Sequence, residues 1–258
     1  FLTEESQISK EQYQQFIELL HETEPHLSLE LVSCFEIIAI NFGIRKGNRG
    51  KIEEYGEFVL ALQKRRVETG RIFIEGVLMA REYQSIASFA LLLKEFDWAL
   101  KFIEANKYKV AGLMSSLEYY EFCLAMYKYH TGNKLEALRL LMDNEFEDLS
   151  CAISARILEI KILCTLELEG ETKLKISEQL DARIEAGILF FFRLKGFPAN
   201  VRTMLKRFMD TMKKIIRAKE NRKWNILERI KKEVSEVDYI AERSWLLGII
   251  DKILASKK

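Results

Sequence analysis

Apolar residues recur at helical spacing along almost the whole chain. Tyr13, Phe16, Leu19 and Leu20 lie three or four residues apart, on one face of a helix. Ser9-Lys10-Glu11-Gln12 ahead of them has the form of a capping box. The spacing predicts a first helix that stops before Pro25. Further helices are predicted over 28–45 and 51–67, with Gly43, Gly47 and Gly50 marking the loop between them and Gly70 ending the second. Helix pairs follow over 83–106 and 116–144, with Asp97 and Asn133 placed to cap the second helix of each pair. Later helices are expected over 174–194, 199–219, 223–234 and 239–255. Residues 73–80 either run on into the helix carrying Ala87 or are separated from it by a turn. The apolar run 37–44 could pass for a buried strand, but its neighbours read as helix. No stretch alternates around an Asn-Gly or Asp-Gly turn as a hairpin would.

Two alanine pairs give this helical string a period. Ala87 and Ala99 lie twelve residues apart, as do Ala125 and Ala137, and the second pair falls 38 residues after the first. Each pair straddles a short turn, Lys94-Glu95-Phe96-Asp97 in one and Thr131-Gly132-Asn133 in the other. Small residues on both sides of a turn let two helices cross closely, and a repeat of this length with two helices per unit indicates a helical solenoid. A weaker third unit has Gly170, 38 residues after Gly132, with Thr172 as its cap, but Leu163 and Lys175 occupy its small positions. The three helices beyond residue 196 carry no such pair. They read as a closing bundle that covers the open apolar face of the last repeat.

These positions carry a resemblance. Ala87, Ala99, Ala125 and Ala137, with Ile103 and Leu141 four residues after the second alanine of each pair, sit where tetratricopeptide repeats place their small and large apolar residues. Leu93-Lys94-Glu95-Phe96-Asp97-Trp98, the Gly132 turn with Glu136-Ala137-Leu138, Ile176-Ser177-Glu178-Gln179 and Ala241-Glu242-Arg243-Ser244-Trp245-Leu246-Leu247 occur in this order. Over residues 83–254 the chain resembles the C-terminal half of uncharacterised tetratricopeptide-like proteins from Bacteroidetes bacteria. The resemblance implies a soluble helical-repeat fold and brings no catalytic motif, cofactor or known partner. The expected fold is therefore all-α, a tetratricopeptide-like α-solenoid of antiparallel helix pairs with a C-terminal closing helical bundle. It would form a single domain over 1–258, with irregular helices at 1–82, repeats at 83–195 and capping helices at 196–258.

Composition agrees with a folded helical chain and excludes some functions. The 258 residues are 31% charged and 48% hydrophobic, with only two prolines. The longest uncharged run, 83–93, is about half of the ~20 residues a membrane-spanning helix needs. Cys34, Cys123, Cys151 and Cys164 contain no Cys-x-x-Cys spacing. Cys151 and Cys164 fall on one helix, roughly 20 Å apart and beyond disulfide reach. Four free, buried thiols point to a reducing compartment and hence to the cytoplasm. The first residue, Phe1, is consistent with a trimmed or truncated chain, from which a signal peptide could have been removed.

Candidate chemistry is sparse. His21-Glu22-Thr23-Glu24-Pro25-His26 gathers metal-capable side chains, but its spacing fits neither a helical pair nor a zinc finger. A solvated interhelical loop is the better reading. His130 reads as a cation at a helix C-terminus. Gly43-Ile44-Arg45-Lys46-Gly47-Asn48-Arg49-Gly50-Lys51 lacks phosphate-loop spacing, and Ile52 replaces the Ser or Thr that would meet magnesium. The carboxylates at Glu53 and Glu54, and at Glu145, Glu147 and Asp148, are no more than chance neighbours in a chain with 39 acids. No catalytic constellation, cofactor or metal is expected, and the chain is read as a non-enzyme.

Charge distribution says more. Residues 1–38 hold eight acids and one base, whereas residues 199–223 hold nine bases and two acids. On the helix from Ala199, Val201, Leu205, Phe208, Met212, Ile215 and Ile216 form one stripe, flanked by Arg202, Lys206, Lys213 and Arg217. This flank reads as a solvated face, as a surface for an anionic partner such as an acidic protein, or as a nucleic-acid or membrane surface. Too few aromatics lie beside the stripe for base stacking, which disfavours nucleic acid. Tyr119, Tyr120, Phe122, Tyr127 and Tyr129 cluster on the first helix of the second pair. They either fill the core between repeats or line the concave binding face of the solenoid. The expected function is a non-catalytic scaffold binding an unspecified protein or peptide, with Tyr119, Tyr120, Tyr127, Lys206, Lys213 and Arg217 as contact candidates. Anion or nucleic-acid binding through the basic helix 199–223 is the alternative, followed by an enzyme without a recognisable motif.

Overall fold

The computed structural model describes residues 8–47, 51–111, 116–170, 176–193, 198–237 and 239–256. Among the described residues the chain is all-α apart from a small sheet, with twelve α-helices. It divides into two compact units whose boundary, between Ala152 and Ile153, falls inside one long helix.

The first unit begins with α1 (Lys10–Thr23), a 3-10 turn (Glu24–His26), α2 (Leu29–Lys46) and α3 (Ile52–Glu68). The capping box forms: Gln12 N–H donates to Ser9 Oγ at 3.3 Å, and Ser9 N–H donates to Gln12 Oε1 at 3.0 Å. Tyr13 is fully buried between the three helices. It stacks on Phe42 with ring centres 5.4 Å apart, and its hydroxyl donates to the Ala39 carbonyl at 2.9 Å. Gly43 is not a loop residue. It lies inside α2, where a Cβ would stand 2.8 Å from the Tyr13 hydroxyl and collide with Val59. Here glycine marks a helix crossing, because only its missing side chain lets α1 and α3 approach.

Residues 73–79 neither continue the helix that starts at Ala80 nor form a simple turn. They form β1 (Phe73–Ile74) and β2 (Val77–Met79), an antiparallel hairpin with Ile74 opposite Val77. Its two turn residues, Glu75 and Gly76, have φ of 53° and 80°, the left-handed pair that matches the twist of a two-residue hairpin. Glu-Gly does this job where Asn-Gly or Asp-Gly is usual, so the hairpin escapes a search for those dipeptides. β3 (Val110–Ala111) adds in parallel on the other side of β2.

The two expected pairs are present: α4 (Ala80–Leu92) with α5 (Phe96–Ala105), and α6 (Ser116–His130) with α7 (Lys134–Asp143). Ala87, Ala99, Ala125 and Ala137 are all fully buried. The turns share the same two closing bonds. In the first, Lys94 N–H donates to the Leu91 carbonyl at 3.1 Å and Glu95 N–H to Ala90 at 3.0 Å. In the second, Gly132 N–H donates to Tyr129 at 3.2 Å and Asn133 N–H to Lys128 at 2.8 Å. Lys94 and Gly132 both take positive φ, as this helix-ending motif requires. One expected cap position is met and one is not. Asn133 is the N-cap residue of α7, although its side chain makes no capping bond, whereas Asp97 lies inside the first turn of α5, which starts at Phe96.

The second unit takes the rest of α8 (Leu149–Leu168), then α9 (Ile176–Arg193), α10 (Ala199–Glu220), α11 (Trp224–Glu236) and α12 (Arg243–Ala255). α9 packs on α10, and α11 on both α10 and α12. Gly187 of α9 faces the Met209 side chain of α10, whose Cε would stand 2.7 Å from a Cβ placed there. α12 starts later than residue 239, because Glu242 turns left-handed at φ 55° and Ala241 N–H donates to the Met204 carbonyl. Leu163 is fully buried and Gly170 has φ 78°. Thr172, Lys175 and the glycine turn at 196 lie outside the described residues. No described helix is long and apolar enough to cross a membrane. All four cysteines are free, but Cys34 is exposed rather than buried, because it lies on the outer side of α2.

Candidate functional site

The candidate contact residues separate into different surroundings. Tyr119 and Tyr120 are buried. The Tyr119 hydroxyl donates to Asp148 Oδ1 at 2.6 Å, and that of Tyr120 to Glu104 Oε1 at 3.0 Å. Lys107 Nζ stands 4.0 Å above the Tyr120 ring. Desolvation, then these hydrogen bonds, pushes the Tyr120 hydroxyl up to about 12 and raises that of Tyr119 as well. Both therefore tie α6 to its neighbours, and only Tyr127 of the three is half exposed.

The acids around Asp148 are occupied too. Asp148 Oδ1 also accepts from Cys151 N–H at 2.9 Å, which caps α8, and Glu118 Oε2 accepts from the N–H groups of Glu147 and Asp148 at 3.1 Å. Among the described residues no group of His, Cys, Asp and Glu could hold a metal. His21 is partly buried, and desolvation with the nearby Arg65 charge lowers its pKa despite Glu24 and Glu36, which favours the neutral ring. His130 closes α6 and meets the Tyr129 ring edge to face.

The acidic start of the chain is partly spent inside it. Glu36 is fully buried on α2 and faces Arg71 at 2.6 Å and Arg66 at 3.6 Å. Glu24 takes Arg71 at 2.9 Å and Arg65, while Arg66 also pairs with Glu82. Burial pulls the Glu24 carboxyl up, but the hydrogen bonds and charges of Arg65 and Arg71 outweigh it and hold the pKa below the ordinary value. Three glutamates thus balance three arginines, so the cluster keeps no net charge with which to hold an ionic ligand.

The basic helix keeps free charge. Lys213 pairs with Glu185 of α9, and Lys219 with Glu167 of α8 at 2.8 Å. Lys206 and Arg217 are exposed, with no carboxylate at ion-pair distance among the described residues. Arg217 lines an open groove of about 340 Å³ along the seam of α10 and α11. Lys214, Asn221, Lys223 and Arg229 flank it, and Ala218, Ile226 and Ile230 form its apolar floor. Glu233 is the one acid in the lining; it stands 3.6 Å from Lys214 and 3.7 Å from Arg229, both through well-exposed side chains. Such pairs contribute little, so the groove is cationic. Of the candidates, Arg217 alone enters it. Lys206 lies elsewhere on the helix, and Lys213 is turned to α9.

Lys223, Ile226, Arg229 and Ile230 join Arg217 in the groove without standing out in the sequence as contact residues. Their signal is local: after the Arg222-Lys223 turn, isoleucines four residues apart put an apolar strip on the face of α11 that carries Arg229. No protein-family model, curated protein or solved structure matches the chain.

Proposed function

We propose that this protein is a non-catalytic scaffold of tetratricopeptide-like helix pairs that binds a protein or peptide. The recurrent turn carries the reading. Left-handed residues stand at Lys94, Gly132 and Gly170, each 38 residues from the last, and Gly170 N–H donates to the Glu167 carbonyl as its two counterparts do in their turns. Stacked helix pairs of one period present an extended side-chain surface without needing a reaction centre. Three buried free thiols suit a reducing, cytoplasmic setting. Cross-linking of the full chain in cell extract, with the linked residues mapped, tests this reading. A reproducible protein partner linked to one helical face is expected, and repeated failure to recover any would overturn the proposal.

A second reading, nucleic-acid binding, draws on Arg202, Lys206, Arg217 and Arg222, which are exposed and have no carboxylate partner among the described residues. It requires affinity for duplex DNA or RNA that falls steeply with salt. The apolar floor of the groove favours a peptide over a phosphate backbone.

A further inference from the structure

The α10–α11 hairpin closes with the same turn as α4–α5. Arg222 is left-handed at φ 50°, its N–H donates to Lys219 at 3.0 Å, and Lys223 N–H donates to Ala218 at 2.8 Å. Aligning Arg222 with Lys94 therefore matches the two hairpins residue by residue. Ala90 corresponds to Ala218, Leu93 to Asn221, Glu95 to Lys223, Trp98 to Ile226 and Phe102 to Ile230. In the first hairpin this seam is covered by a helix. α3 lies against it so closely that a Cβ on Gly56 would stand 2.9 Å from Leu93 Cδ2. Lys64 of α3 reaches Glu95 at 2.9 Å and lies 5.4 Å above the Trp98 ring.

In the second hairpin the same seam is the open basic groove. Positions held by buried Ile86 and Phe89 in the first hairpin are exposed Lys214 and Arg217 in the second. Glu95, which receives a lysine, is replaced by Lys223, which would receive a carboxylate. Apolar residues persist at the floor, where Ile230 is buried and Ile226 half-buried. The seam thus keeps the form that accepts a helix, with the charge at its contact point reversed.

Resting on the scaffold reading, we infer that the α10–α11 groove binds an amphipathic helix of a partner protein that carries glutamate or aspartate beside its apolar stripe. The apolar stripe would lie on Ala218, Ile226 and Ile230, as helices seat in hydrophobic grooves elsewhere. Its acids would meet Arg217 and Lys223, which have no competing carboxylate among the described residues.

The test uses the full chain and a labelled synthetic helix of 17 residues, the length of α3, with a leucine stripe flanked by glutamates. Fluorescence anisotropy should show saturable binding. The variant R217E/K223E should bind at least about tenfold more weakly, and exchanging the peptide's glutamates for lysines should restore its binding. K206E, outside the groove, should leave affinity within about twofold. Both substituted sites are exposed, so circular dichroism melts should be unchanged. No binding of the acidic helix, equal binding by R217E/K223E, or displacement of the helix by duplex DNA at lower concentration would overturn the inference. Cross-links to a partner that map away from α10 and α11 would sink this groove while leaving the scaffold reading intact.

Discussion

Arg71 holds Glu36 in a two-pronged grip, with Nε 3.0 Å from Oε2 and Nη2 2.6 Å from Oε1. Glu36 is fully buried, and its hydrogen bond from Arg71 is the largest influence raising the already high guanidinium pKa. Removing one member of such a pair strands a buried charge, which costs about 3–5 kcal/mol. Glu36→Gln is expected to lower stability by that order in urea unfolding. Arg71→Gln in the same background should add less than it does alone, because its two-pronged partner is already gone and only Glu24 is left to lose. Strictly additive losses would show that the grip contributes nothing as a pair.

This grip also marks where sequence reading stops. Glu36 lies on α2 and Arg71, 35 residues on, in the turn after α3, so a charge count along the chain assigns Glu24 and Glu36 to an acidic end and never sees their partners. The helices and alanine pairs were legible because their causes are local: periodicity, small crossings and capping. Gly43 misled, since a glycine that admits a neighbouring helix looks in sequence like one that ends its own. The α10–α11 hairpin was hidden for a related reason. Its crossing positions hold Ile215 and Leu227 rather than alanines, and only the turn's hydrogen bonds show its kinship with α4–α5. The groove exists only once α10 and α11 lie side by side, so the sequence periodicity of α10 alone points to Arg217 but not to Lys223.

The recurrent turn supplies a paired stability test. Lys94 adopts φ 63° where Gly132, its counterpart, adopts φ 91°. A side chain in this region costs roughly 1 kcal/mol, which glycine avoids. Lys94→Gly should therefore raise stability by up to about 1 kcal/mol. Gly132→Ala should lower it by about the same amount, and purely through the backbone, because nothing lies within 4 Å of the added Cβ. Thermal unfolding of both variants measures the two signs, and a destabilised Lys94→Gly would contradict the shared-turn account.

Glu159 should make part of the pH dependence run opposite to that of Glu24. Burial raises the Glu159 carboxyl above its ordinary pKa, and Arg183 at 2.8 Å with Arg156 only partly offsets this. Folding therefore penalises the ionised form. The penalty is complete above the raised folded-state pKa, shrinks as pH falls through it, and is gone below the unfolded-state value of about 4.3. Glu159→Gln, which mimics the protonated acid, should be more stable than the parent at neutral pH and equal to it below about pH 4. Glu24→Gln should behave the other way, since the depressed Glu24 pKa gives stability that is full above the unfolded-state value and is lost on acidification. Urea midpoints across this range decide both signs; a Glu159→Gln protein weaker than the parent at neutral pH would show that Arg183 outweighs burial.

The four thiols should separate by reactivity in the native state. Only Cys34 is exposed. Burial pushes the Cys164 thiol up to about 12, with Glu167 adding and Lys219 opposing. It raises Cys123 and Cys151 as well, and for Cys151 the Glu118 and Asp148 charges add to the effect. The thiolate is the reacting species, so raised pKa and lost access act together. At neutral pH a disulfide reagent should titrate one thiol quickly and the other three only as the fold opens. Denaturant should release all four, and Cys34→Ser should remove the fast phase. A second fast thiol in the native protein would mean that α6 or α8 is less tightly packed than its buried cysteines indicate.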